Sequence, residues 1–180
     1  MKRKLCLLVV LFAVLQSAQQ TFAQVNKRET FSINFGPEMA FREAAFRKTH
    51  NIGFGASIKA EYTFGKHGSA TINSGFSVFS GKTYFESISL LPADYKSLIA
   101  IPLKAGARYY MGTFYAAGEA GVVFLSKHIN ESRPAVSIGI GDKIKIGYGK
   151  IDISLRQEFW LGNPENLNMA VLRVAYEIVW

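Results

Sequence analysis

From Phe31 onward, apolar side chains recur at every second position, with polar or small residues between them. FSINF sets Phe31, Ile33 and Phe35 against Ser32 and Asn34. IGFGASIKAEYTF continues the alternation from Ile52 to Phe64. Period two marks strands whose two faces meet different surroundings. A third strand is predicted from Ser69 to Ser80 and a fourth, SLIAIPLKAGARYY, from Ser97 to Tyr110. Pro102 breaks the donor row of that fourth strand and argues against a central position, though a bulge could hold it. Phe114 to Leu125 alternates weakly through AAGEAG. Ala135 to Ile146 alternates well, except that Asp142 falls on the apolar side; this predicts a bulge near Gly141 or a slipped register. Lys150–Trp160 and Asn168–Trp180 complete eight strands.

The connections alternate in length. Arg42–His50, Gly81–Lys96, Lys127–Pro134 and Leu161–Leu167 are long; Gly65–Gly68, Met111–Thr113 and Gly147–Gly149 are short. That order predicts an all-β fold, an eight-stranded antiparallel up-and-down transmembrane β-barrel with both chain ends on the short-turn side. Alternation alone does not say which face points inward. The polar face carries Lys59, Glu61, Lys104, Arg108, Glu119, Lys145, Asp152, Arg156, Glu158, Arg173 and Glu177. Six are basic and five acidic. Such near-balance suits a lumen in which charges satisfy one another, since eight strands leave room for little more than side chains. A Lys or Arg turned to the lipid instead would cost about 2–4 kcal/mol at mid-bilayer. Aromatic residues at the strand ends add two expected girdles: Phe31, Phe64, Tyr109, Phe114 and Trp180 at the short-turn end, and Phe79, Phe124, Phe159 and Trp160 at the other. The opposite arrangement, a soluble periplasmic lipocalin-like lipid binder with an apolar lumen, remains the alternative.

The ends change the picture further. MKRK, the apolar run Leu5–Leu15 and the small residue Ala23 describe a secretory signal peptide over residues 1–23, leaving residues 24–180 as one barrel domain. The only cysteine, Cys6, would leave with the signal, so the mature chain has no disulfide and no thiol chemistry. Loss of Lys2, Arg3 and Lys4 lowers the formal charge from +8 to about +5, because no acidic residue precedes Ala23. With no basic block, nucleic acid is not an expected partner.

The chain finishes VLRVAYEIVW, with Tyr176, Ile178 and the terminal Trp180 on one face. This ending resembles the C-terminal signal by which the outer-membrane barrel assembly machinery recognises its substrates. Together with IPLKAGARYY, FYAAGEAGVVF and GKIDISLRQEF, it makes residues 25–180 resemble the small outer-membrane β-barrel family of Bacteroidetes type, of OmpX-like architecture. The resemblance implies an outer-membrane location in a Gram-negative envelope, insertion by that machinery, no cofactor, and contact with outer-membrane lipids and lipopolysaccharide.

Chemistry is sparse. His50, His67 and His128 fall in different connections; His128, with Glu131 and Ser132 close by, is the one catalytic possibility, for a barrel enzyme acting on lipid A in the outer leaflet. There is no HExxH, no Cys pair and no acidic metal loop, so no catalytic, cofactor or metal site is expected. GFGAS lies within a strand and reads as small residues in a crowded lumen. The long connections carry Arg42, Glu43, Arg47, Lys48, Lys82, Tyr84, Phe85, Tyr95, Lys127, His128 and Arg133, a basic and aromatic mixture suited to lipopolysaccharide or a protein partner. The expected role is structural or loop-mediated interaction, through a porin-like barrel too crowded to conduct freely.

Overall fold

The computed structural model describes residues 30–43, 46–85, 92–94, 97–126, 131–162 and 166–180. The expected signal peptide, together with Tyr95, Lys127 and His128, lies outside them. Eight long strands form the wall: β1 (Thr30–Arg42), β2 (His50–Phe64), β3 (Gly68–Gly81), β6 (Leu98–Met111), β7 (Phe114–Ser126), β8 (Glu131–Ile146), β9 (Gly149–Trp160) and β10 (Leu167–Val179). Each pairs antiparallel with its chain neighbours, and β1 returns to β10 through pairs such as Phe35 with Tyr176 and Met39 with Leu172, closing the barrel. Closure leaves no unpaired edge. Two smaller pieces belong to the long connections: α1 (Phe46–Thr49) after β1, and a hairpin of β4 (Thr83–Phe85) with β5 (Pro92–Asp94).

The three short turns place Gly65, Gly112 and Gly147 at φ of 70°, 76° and 58°. This left-handed region is open to glycine without steric penalty, which is what lets the strands reverse so tightly. Prolines are accommodated by one-sided gaps in the ladder. Pro102 pairs with Val123 of β7, while pairing with β3 lapses between Ser74–Leu103 and Ser77–Ala100. Pro37 likewise pairs with Ala56 of β2, and the β1–β10 ladder skips from Phe35 to Glu38 in unchanged register. No bulge is needed at Pro102.

The apolar face points outward. Phe35, Phe54, Ile72, Phe76, Leu103, Ile138 and Leu155 are each at least half exposed on the outer wall, and Asn34, Asn73, Asp152 and Arg173 are fully buried within. The lipocalin-like arrangement is therefore not this one.

Two expectations are corrected. First, β8 runs without a bulge: its pairs to β7 are unbroken up to Asp142, and those to β9 run unbroken past it to Ile146. Asp142 keeps its outward phase near the turn end, where depth, and so the penalty for a polar group facing lipid, is small. β1 runs through Gly36-Pro37 to Arg42, where the first long connection was expected to begin, and brings Glu38 into the interior. Second, Phe79 and Trp160 do not belong to an outer girdle. Both are buried inside the barrel at the loop end.

Candidate functional site

The interior has two layers. Toward the turn end and through the middle it is ionic. Among the described residues, apart from Arg133, which pairs with Glu131 at the loop end (2.9 Å), the buried charges are Lys59, Lys104, Arg108, Lys143, Arg156 and Arg173 against Glu38, Glu61, Glu119, Asp152, Glu158 and Glu177. Six cations meet six carboxylates.

They form one alternating chain. Glu177 holds Lys143 (2.5 Å), which reaches Glu61 (3.0 Å); Glu61 holds Arg108 (2.8 Å), which reaches Asp152 (2.9 Å). Arg173 stands between Asp152 (3.8 Å) and Glu38 (3.3 Å), and Arg156 between Glu38 (2.8 Å) and Glu158 (2.9 Å). Lys104 then joins Glu158 (2.9 Å) to Glu119 (3.5 Å), and Lys59 ends the chain on Glu119 (2.5 Å). Neutral partners complete the shells. Tyr110 donates to Glu61, Tyr115 to Asp152 (2.5 Å), Ser57 to Glu38 (2.5 Å), and Arg173 to Asn34 Oδ1 (2.6 Å). Such pairing makes buried charge tolerable, because each ion trades hydration for fixed partners.

The second layer, at the loop end, is apolar. Phe46 of α1 enters the mouth and packs on Phe79 (ring centroids 4.9 Å apart) and Trp160 (6.3 Å), above Ala100, Val123, Leu125, Met169 and Val171. Gly53 lies under the Phe79 ring, and a Cβ there would come within 2.3 Å of it. Trp160 links the layers: its ring is in the plug and its indole N–H donates to Glu158 (2.8 Å). The void beside Lys59, Tyr115, Glu119 and Arg156 measures about 20 Å³, room for about one water molecule.

Of the eleven charges expected in the lumen, the structure brings together Lys59, Glu61, Lys104, Arg108, Glu119, Asp152, Arg156, Glu158, Arg173 and Glu177. Lys145 is a correction. It is on the inward face but exposed, because it lies one residue from the end of β8 beyond the network. Lys143, one step deeper, takes the place assigned to it. Glu38, Tyr110 and Tyr115 were missed: Glu38 because it lies beyond the clear FSINF alternation, the tyrosines because rings count as apolar. The parity of Tyr110 with Arg108 and of Tyr115 with Glu119 was the available signal for the rings.

Among the described residues no catalytic group assembles, and His128 lies outside them. Glu131 pairs inward with Arg133, while Ser132, its neighbour, is exposed on the opposite face. His67 bonds the Tyr110 carbonyl (2.8 Å) at the turn end, and His50 meets Thr49 (2.8 Å) at the loop end. Among the described residues no group of three His, Cys, Asp or Glu could hold a metal ion. Of the loop residues, Glu43 accepts from Gln157 (3.0 Å), and the Lys82 amide bonds the Thr49 carbonyl (2.9 Å), tying the first two long connections together. Tyr176, Ile178 and Trp180 line up outward on β10, with Trp180 against Phe31 (6.1 Å).

No family model matches the sequence, and no curated protein matches it. Solved structures do match. The Yersinia pestis outer membrane protein Ail, determined as a backbone structure in a phospholipid bilayer nanodisc, is 14% identical with a TM-score of 0.51, over 84% of this chain and 100% of that one. A crystal structure of Ail, the attachment invasion locus protein, gives 13% identity and a TM-score of 0.51 over the same shares. The N-terminal β-barrel domain of Pseudomonas aeruginosa OprF is 13% identical, with a TM-score of 0.47, over 82% of this chain and 97% of that one. At these identities the likeness is one of fold: a closed eight-stranded antiparallel barrel like that of Ail.

Proposed function

We propose that the chain is an integral outer-membrane barrel that acts through its outer loops, as a structural or interaction protein rather than an enzyme. The observation that carries this reading is the inversion of faces, an apolar outer wall around a charge-balanced interior. A soluble barrel would gain nothing from exposing Phe35, Phe76 and Ile138 to water. The fold it shares with Ail, a protein studied in a phospholipid bilayer, supports the same conclusion. The loop end then faces outward, toward lipopolysaccharide or a protein partner, and the short turns face the periplasm.

Export would use residues 1–23 as a signal peptide. The outer-membrane assembly machinery would recognise Tyr176, Ile178 and Trp180, and the chain would be one of the small barrels of Bacteroidetes type, a reading its residue patterns support. The filled lumen and the aromatic plug make free conduction through the barrel unfavourable.

Two simple measurements test the reading. The protein is expected to stay with membranes through a carbonate wash and to change its gel migration on boiling. Release by carbonate, with no shift, would remove the membrane assignment. Turnover of radiolabelled lipid A by purified protein, lost in His128→Ala, would replace interaction with catalysis.

A further inference from the structure

The turn-end mouth opens on a vestibule of about 270 Å³ whose lining includes Lys66, Lys143, Lys145, Lys150 and Tyr110, with Glu177 as its one carboxylate. Threonine and serine hydroxyls complete the lining, from Thr30, Ser32, Thr63 and Thr113. Glu177 is already committed. It holds Lys143 at 2.5 Å inside the balanced network and lies 3.6 Å from Lys150. Among the described residues six cations buried in the network cancel six buried carboxylates, so the charges of Lys66, Lys145 and Lys150 stand outside that balance at this mouth.

The register makes that excess unfavourable. Lys145 and Lys150 are direct cross-strand partners on β8 and β9, and both line the same cavity. Like charges set opposite each other in an antiparallel pair destabilise it, and opposite charges at such a site are favoured. A turn selected only for folding would sooner carry a Lys–Glu pair. Three lysines and a ring of hydroxyls converging on a headgroup-sized cup match an anion with several acceptor oxygens.

We propose that this vestibule binds a phosphate group, with Lys145 and Lys150 as its principal ligands and Lys66 closing it from the β2–β3 turn. A phospholipid headgroup of the surrounding leaflet and a free phosphate compound present the same chemistry. The two sources are separable.

Pyrophosphate titrated into the folded, detergent-solubilised protein is expected to give saturable NMR shifts at the amides of Gly147, Lys150 and Lys66. Lys145→Gln/Lys150→Gln should weaken binding at least tenfold, Lys145→Arg/Lys150→Arg should keep it, and Lys82→Gln at the loop end should leave it unchanged. Retained heat-dependent gel migration shows that each variant is folded. In nanodiscs of phosphatidylglycerol, the same shifts without pyrophosphate identify the headgroup as the source; shifts that appear in phosphatidylcholine nanodiscs only after pyrophosphate is added identify a free phosphate compound. An equal response to potassium chloride at matched ionic strength, or undiminished binding by the double Gln variant, overturns the proposal.

Discussion

The two layers of the lumen solve one packing problem with opposite chemistry. In the ionic layer Arg173 is fully buried and held by Glu38, Ser57 and Asn34; in the plug Phe79 is equally buried and packs on the rings of Phe46 and Trp160. The difference follows from what borders each. The ionic layer is built wholly by strands, whose inward positions alternate with a lipid-ready face, and its charges come from seven of the eight strands. The plug needs a piece that the wall does not supply. It is sealed by Phe46, delivered from a connection. Disturbing the first should therefore act on the whole barrel, and disturbing the second on one end.

The sharpest break is Arg173→Met. It leaves Glu38 and Asp152 each short of a cation in a sealed interior, and removing one partner from a buried pair costs about 3–5 kcal/mol. Urea unfolding in lipid vesicles should register that loss as one cooperative transition shifted to lower denaturant. Phe46→Ala, by contrast, is expected to cost no more than about 3 kcal/mol, at or below the usual penalty for losing a buried phenyl ring, because the connection can relax. Its signature is local: faster proteolysis around residues 46–49 with little change in the midpoint of the global transition. Planar-bilayer recordings should show no steady channel, since the ionic layer still fills the lumen. A conducting Phe46→Ala variant would make the plug the true seal.

Smaller effects refine the contrast. Lys59 ends the ionic chain on Glu119, its one ionic partner among the described residues, so Lys59→Met should destabilise, while Lys59→Met/Glu119→Leu should recover much of the loss. Buried pairs replaced together by apolar residues are often neutral. The residual cost should trace to Lys104 and Asn73, which also reach Glu119. Raising sodium chloride from about 0.1 to about 1 M should change the midpoint very little, because screening acts weakly on buried pairs. Tyr148→Ser, at a fully exposed turn position, should stay within about 0.5 kcal/mol of the parent.

The same contrast separates what the sequence made legible from what it did not. Parity carried the barrel, the strand count and the inward face, since Lys59 and Glu61, or Arg156 and Glu158, lie two apart on strands of clean alternation. Parity does not report depth. Lys143 and Lys145 share a face, yet only Lys143 reaches the network, and the turn geometry that separates them is not written in period two. Nor does it report partners across the lumen: Arg156 and Glu38 meet 118 residues apart in the chain. Phe79 and Trp160 read as girdle residues because nothing in their own strands reveals that Phe46 returns from a loop to cover them. Glu38 lies beyond FSINF, the clearest alternation in β1, and the ladder carries the strand on to it by pairing β1 with β2 straight across Gly36 and Pro37.

The most direct test of the account is the direction in which three outer-wall positions point. Single spin labels at Ile138, Leu155 and Leu172, introduced as cysteines in the chain lacking residues 1–23 and folded into lipid vesicles, report whether each meets lipid or water. Relaxation by dissolved oxygen, with near-complete protection from a water-soluble nickel chelate, is the result expected at all three. Relaxation by the chelate, with protection from oxygen, would contradict the account.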